Sequence, residues 1–188
     1  FGTVAPPGLQ HLQTMLGGQS WILHRPALVG ETIVERRKVL SMEEREGKTG
    51  PMVIVRSEQS YSDADDKPIE TLVSTLIVRT PPPPLAGNGE DVAVPEPSAQ
   101  AVPEDAPDRL VVETDMIQAY LFNASIWAVH RIHWDVPYAR SEGLPSVLLV
   151  GWNLANFAAR LGRRLAPDGQ RLHRLDLSYR AMAHPGDV

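Results

Sequence analysis

The sequence predicts an α+β protein in two folded parts. Three observations carry that expectation: strand-like runs between Thr32 and Arg79, a proline-rich acidic stretch from Pro81 to Asp108, and a strongly amphipathic helix at Gly151–Leu165. The 188 residues are enough to bury a core, and 43% hydrophobic with 22% charged side chains is ordinary globular composition. A net charge of −5 argues against nucleic acid or an anionic membrane as partner. With no cysteine, disulfides, thiolate metal sites and a cysteine nucleophile are excluded. No apolar stretch approaches the roughly 20 residues of a membrane span, and no signal peptide is visible. A soluble, cytoplasmic protein is expected. The chain opens on Phe1 rather than methionine, so the expected native N-terminus lies further upstream.

In chain order, a helix is expected near Leu9–Leu16. Thr32–Leu40 and Pro51–Ser57 are β-rich, with a charged, glycine-containing turn over Glu43–Gly50 between them. Glu70–Arg79 alternates as Leu72, Ser74, Leu76 and Val78, the period-two pattern of a half-buried strand, after a turn at Asp63–Pro68. These three strands read as an antiparallel meander. Pro81–Asp108 holds eight prolines, six acidic residues and no Lys or Arg. Such sequence cannot build a core, and its charge leaves the rest of the chain near neutral. An extended linker is expected, least ordered from Pro84 to about Pro103. It separates an N-terminal unit, residues 1–80, from a C-terminal unit, residues 109–188.

Beyond the linker, Arg109–Glu113 reads as a short strand and Thr114 as the N-cap of a helix from Asp115 to about Phe122. A loop of histidines and aromatics runs from Trp127 to Tyr138. On the Gly151–Leu165 helix, Leu154, Phe157, Ala158, Leu161 and Leu165 share one face, and Arg160, Arg163 and Arg164 complement the C-terminal dipole. Pro167-Asp168-Gly169 stops it, and Leu172–Tyr179 returns to strand-like alternation. An internal echo links Leu23–Thr32 with Ser178–Val188, offset by one inserted residue. The first copy leads into the meander, whereas the second ends the chain, so further residues are expected beyond Val188.

The densest chemical signal is His130-Arg131-Ile132-His133-Trp134-Asp135, followed by Tyr138-Ala139 and Gly143-Leu144-Pro145. Two histidines, an arginine and an aspartate converge there. Read by itself, the loop is either a surface loop with a structural histidine or an acid–base centre. Two histidines without a third ligand leave a zinc site incomplete, and no Gly-x-Ser-x-Gly elbow exists. Arg131 either binds a substrate carboxylate or bridges to Asp135. Trp127, Trp134 and Trp152 either line an acyl pocket or serve as packing. His24-Arg25 reads as a strand edge, and His173 and His184 as solvated.

His-Arg-Ile-His-aromatic-Asp-x-x-Tyr-Ala, then Gly-x-Pro and a helix, resembles the MaoC-like hot-dog hydratases and dehydratases. The two-domain branch acting on mesaconyl-, 3-methylfumaryl- or itaconyl-type CoA esters is the most similar. His24-Arg25-Pro26, Val29–Thr32, Glu35-Arg36-Arg37 and Gly47–Pro51 resemble its dehydratase-like first domain. The resemblance implies a double hot-dog, with an antiparallel sheet around a central helix in each of two units side by side. The second unit would be incomplete at Val188, with Gly151–Leu165 as its central helix.

The resemblance further implies a hydro-lyase acting on an enoyl- or 3-hydroxyacyl-thioester, carried on CoA or an acyl carrier protein. No metal or redox cofactor is implied. His133 would be the catalytic histidine, His130 its neighbour, and the backbone at Gly151 and Trp152 the oxyanion hole. Arg131, Asp135, Trp127, Trp134 and Trp152 would face substrate. Three positions depart from the family pattern. Ala128 stands where relatives carry Asp or Asn, Val150 where the closer branch often has His, and Trp152 where it has Pro. Two other functions therefore stand beside the hydratase: a non-catalytic acyl-binding or partner hot-dog subunit, and the same fold recruited to another biosynthetic reaction. A homo-oligomer such as a dimer, or a hot-dog partner subunit, is the expected assembly.

Overall fold

A computed structural model describes residues 8, 12–47, 50–84 and 106–187. They form two compact units, one drawn from Ala5–Thr80 and Ala166–Arg180, the other mainly from Pro81–Leu165 and Ala181–Val188.

The first unit is an antiparallel sheet of five strands in the order β2-β3-β4-β1-β5. Its strands are β1 Gln13–Leu23, β2 Val34–Gly47, β3 Gly50–Ser62, β4 Pro68–Arg79 and β5 Arg174–Ser178. The meander forms as the alternation predicts, but the strands are longer. Pairing between β2 and β3 continues to Gly47 opposite Gly50, through much of the expected charged turn. Charged side chains on an exposed edge strand do not interrupt a ladder made by the backbone. In β4, Leu72, Ser74, Leu76 and Val78 are all buried, as period-two alternation requires. Leu76 and Val78 pack on Val55 of β3, with Leu12, Leu16 and Val53 around them.

The helix expected near Leu9–Leu16 is corrected: Gln13–Leu16 opens β1, while Leu9–His11 lie outside the described residues. The glycine pair Gly17-Gly18 obscures this strand, because glycine weakens a strand interior. Its reason is tertiary. A Cβ on Gly18 would lie 2.8 Å from the Leu177 carbonyl oxygen of β5, and one on Gly17 would lie 3.1 Å from Ile77 Cδ1 of β4. The register also shifts between Leu16 and Gly18. The chain thus returns from the helices at Ala166–Arg180 to lay β5 beside β1. Among the described residues the sheet unit contains strands but no helix, so the helix expected within residues 1–80 is absent there.

The second unit holds α1 Met116–Ser125, a single 3-10 turn at Arg131–His133, α2 Val136–Ser141 and α3 Gly151–Leu165. No strand forms at Arg109–Glu113; an isolated bridge joins Ala106 and Arg109. Asp115, not Thr114, caps α1, its carboxylate accepting from Gln118 N–H at 2.7 Å. The Thr114 hydroxyl instead donates to the Asp187 carbonyl. α3 forms at the predicted residues, with Asn153 and Ala155 buried, while Leu165 is exposed. Ala139, Leu144 and Val147 make a small core with Met116, Ile132, Val136 and Leu148 around it. The linker from Leu85 to Asp105, including most of the stretch expected to be least ordered, lies outside the described residues. Among the described residues no helix is long and apolar enough to cross a membrane.

The internal echo is a real structural repeat. In Leu28–Glu31 the Glu31 N–H donates to the Leu28 carbonyl while the Glu31 carboxylate accepts from the Leu28 N–H. In His184–Asp187 the Asp187 N–H donates to the His184 carbonyl while its carboxylate accepts from the His184 N–H. The third residue of each turn is a glycine at positive φ, +88° at Gly30 and +99° at Gly186. Each turn follows a strand of the β1–β5 pair.

Because Leu72 is fully buried on the central part of the sheet, Leu72→Ala should lower unfolding stability by about 2–5 kcal/mol. Leu28→Ala, at an exposed side chain, should change it by no more than about 0.5 kcal/mol. Urea unfolding followed by circular dichroism measures both, and equal effects would contradict this packing.

Candidate functional site

The histidine loop lies within the helical unit. Asn123, buried near the end of α1, turns its side-chain amide toward the loop and donates to the His133 carbonyl at 3.0 Å. Its own carbonyl accepts from Ala128 N–H at 2.9 Å. One asparagine therefore spans both sides of the loop. His130 caps the 3-10 turn, with Nδ1 accepting from Ile132 N–H at 3.4 Å. His133 ends that turn, and its Nδ1 lies 2.9 Å from the Leu148 carbonyl oxygen.

A carbonyl only accepts, so Nδ1 of His133 carries the proton and Nε2 of the neutral ring is left as an acceptor. Burial pushes His133 below the usual histidine range; the Leu148 carbonyl opposes this, and nearby His130 adds to it. Partial desolvation also lowers His130, against the Glu142 carboxylate. The rings of His130 and His133 stand edge-on at 6.3 Å between centroids, and Tyr138 stands edge-on to His130 at 6.0 Å. The result is a neutral, desolvated imidazole beside a second one, suited to taking a proton at Nε2.

Leu148 belongs to Val147–Val150, a stretch that is neither helix nor strand and runs into α3 at Gly151. The Leu148 N–H donates to the Ile132 carbonyl, and the Leu149 N–H to the Ala183 carbonyl. His133 is thereby tied, through one side chain and one turn, to the start of α3. Gly151 and Trp152 are the first two residues of that helix, and Trp152 is partly exposed. The first turn of a helix carries the positive end of its dipole.

The charged residues of the loop engage each other. Arg131 Nε donates to Asp135 at 2.9 Å, and its guanidinium lies 4.5 Å over the Tyr138 ring. The other oxygen of Asp135 caps α2 by accepting from Tyr138 N–H. That N–H and then Arg131 hold the Asp135 carboxyl below its usual range. Of the two roles open to Arg131, the structure shows the ion pair. Trp127 is exposed at positive φ, and Trp134, also partly exposed, donates from Nε1 to the Val129 carbonyl. Among the described residues no three His, Asp or Glu side chains gather as a metal site.

Two residues of this constellation escaped the sequence reading. Asn123 sits inside a helix with nothing local to mark it. His184, read as solvated, is half-buried and bonds through Nδ1 to the Val147 carbonyl at 2.9 Å. The echo was the signal that could have found it, since it predicts a shared turn in which the histidine has no counterpart.

The depressed His133 should titrate with a midpoint below 6.5, read from its ring signals by NMR. The unfolded chain then binds the extra proton first, so stability should fall as pH drops through about 6.5 and level off below the folded midpoint. His133→Asn should flatten that slope in urea titrations between pH 5 and 7.5. A midpoint above 6.5 would contradict the desolvated site.

Comparison with known proteins adds lineage to this geometry. Residues 2–72 match the FAS1-like dehydratase domain region. Mesaconyl-C(4)-CoA hydratase of Chloroflexus aurantiacus is 26% identical over 158 residues, which cover 84% of this chain and 53% of that protein. The chain thus spans about half the length of the curated relative it matches. A MaoC-like dehydratase from Phytophthora capsici superposes with a TM-score of 0.66 at 20% identity, over 97% of this chain and 60% of its own. Peroxisomal multifunctional enzyme type 2 from Drosophila melanogaster gives 0.66 at 19% identity, over 92% and 30%. A Mycobacterium tuberculosis protein with a double hotdog fold gives 0.59 at 18%, over 98% and 67%. The chain thus resembles a FAS1-like dehydratase region over residues 2–72 and shares the α+β hot-dog fold of MaoC-like dehydratase structures.

Proposed function

We propose that the protein hydrates an enoyl-thioester, or dehydrates the 3-hydroxyacyl form, by histidine acid–base chemistry. The observation that carries this reading is the half-buried His133 ring, fixed through Nδ1 on Leu148 and left with a basic Nε2. Water bound at Nε2 loses a proton as its oxygen bonds to Cβ of the enoyl group. The alkene electrons move through Cα onto the thioester oxygen, where the N–H groups of Gly151 and Trp152 receive the charge. The enolate then collapses as Cα takes a proton from the imidazolium. One water is added and the base is regenerated, so the balance calls for no redox cofactor and no metal. His130, whose ring stands edge-on to His133, is the candidate to stand in for the missing carboxylate. Trp127, Trp134 and Trp152 offer apolar surface for the acyl chain, and Arg131 with Asp135 offers a polar edge. The likeness to a mesaconyl-CoA hydratase favours a CoA or carrier-protein thioester.

Ala128 favours a second reading, a non-catalytic hot-dog subunit that binds acyl ligands or completes an active partner. Its N–H is engaged by Asn123, and its methyl group can neither hold water nor carry a proton. A hydration assay over several enoyl-CoA esters separates the readings. His133→Ala should abolish turnover. Ala128→Asp should raise it at least about tenfold, below the 10²–10⁴-fold that an acid–base group contributes, because the pocket is packed around alanine. His130→Ala should slow it only if His130 has replaced the missing carboxylate. An active parent that neither His133→Ala nor Ala128→Asp alters would overturn the assignment of this loop as the catalytic centre.

A further inference from the structure

We infer that His184 is a positioning residue for the site, holding the entry to α3 from the side opposite the His133 loop; this rests on the proposed hydratase reading. Val147 is fully buried, so its carbonyl must find a donor within the protein. No ladder or helix supplies one in this stretch. His184 Nδ1 does, at 2.9 Å, as His133 Nδ1 does for the next carbonyl, Leu148, at the same distance. Two N–H groups complete the arrangement, Leu148 to Ile132 and Leu149 to Ala183. Each of the two peptide units, Val147–Leu148 and Leu148–Leu149, is thus held at one end by the histidine loop and at the other by the segment around His184. A shift of either holder moves the Leu148 carbonyl, and with it the ring it orients.

The His184 turn is itself anchored. Gly186 N–H donates to the Thr114 carbonyl at 2.7 Å, and the Thr114 hydroxyl donates to the Asp187 carbonyl at 3.1 Å. The imidazole is not needed to make that turn. Leu28 occupies the corresponding place in the first copy, where the same pair of hydrogen bonds closes the turn without a histidine. The side chain that differs between the copies is the one that reaches Val147.

The test uses the full chain. His184→Ala should lower kcat for enoyl-CoA hydration by about 10- to 100-fold, as small displacements of reacting groups do, with KM changed by less than about twofold. His184→Asn, whose amide N–H stands near the place of Nδ1, should restore most of that loss. Leu28→Ala should leave kcat unchanged. Amide hydrogen exchange at Leu149 should quicken in His184→Ala while the middle of α3 stays protected. Unchanged exchange and unchanged kcat would overturn the proposal, as would equal losses in the Ala and Asn variants. If the parent hydrates none of the esters, the activity reading fails, and exchange at Leu149 still decides the clamp. Should His184→Ala not fold, nitrogen-15 shifts of the unaltered His184 ring decide. A proton on Nδ1 supports the bond to Val147, and a neutral ring protonated at Nε2 overturns it.

Discussion

A buried, irregular peptide segment cannot leave its carbonyls unmatched, and the geometry of the candidate site follows from how Val147–Val150 meets that demand. Water is excluded at Val147, and neither a helix nor a sheet ladder provides for the segment. Imidazoles from two separate parts of the chain fill the gap. For His133 the result is chemical as well as structural. Holding a carbonyl at Nδ1 decides the tautomer, and burial in the same place keeps the ring neutral.

Around that ring the loop is organised by short polar contacts. Asp135 both caps α2 and neutralises Arg131, which in turn lies over Tyr138. Arg131 and Asp135 are partly exposed, so this set contributes orientation more than stability. Asn123 performs a heavier task, since it is buried and spans the loop from Ala128 to His133. Ala128 is thus part of a backbone held in place by the Asn123 carbonyl, a scaffold that does not depend on the side chain at 128.

The repeated turn shows how one local solution serves two purposes. Both copies use a glycine at positive φ and a carboxylate that closes on the N–H three residues earlier. In the first copy Glu31 also pairs with Arg25, which reaches Asp63, so the turn is fastened within the sheet unit. In the second, the turn is fastened to Thr114 and carries His184. Similar sequence produced similar backbone, and a single differing side chain redirected its use.

Much of the architecture was legible from local pattern. The alternation of Leu72, Ser74, Leu76 and Val78 specifies which face of β4 is buried, because side chains alternate across a strand. The apolar spacing on α3, and the turn signal after it, specify that helix. The histidine loop was recognisable because titratable residues rarely cluster without a reason. Other features depend on partners distant in sequence. Gly17-Gly18 reads as a break until the Leu177 carbonyl approaches within reach of a side chain. Leu172–Tyr179 reads as a strand but does not say that it joins β1. His184 and Asn123 are polar residues without local pattern, and only the fold supplies the carbonyls they bind. The sequence by itself determined the meander strands β2 to β4, the long helix and the residues able to move protons, because those follow from period and side-chain chemistry. Which nitrogen of His133 is free to act was decided by tertiary structure alone, because that depends on a backbone carbonyl 15 residues away.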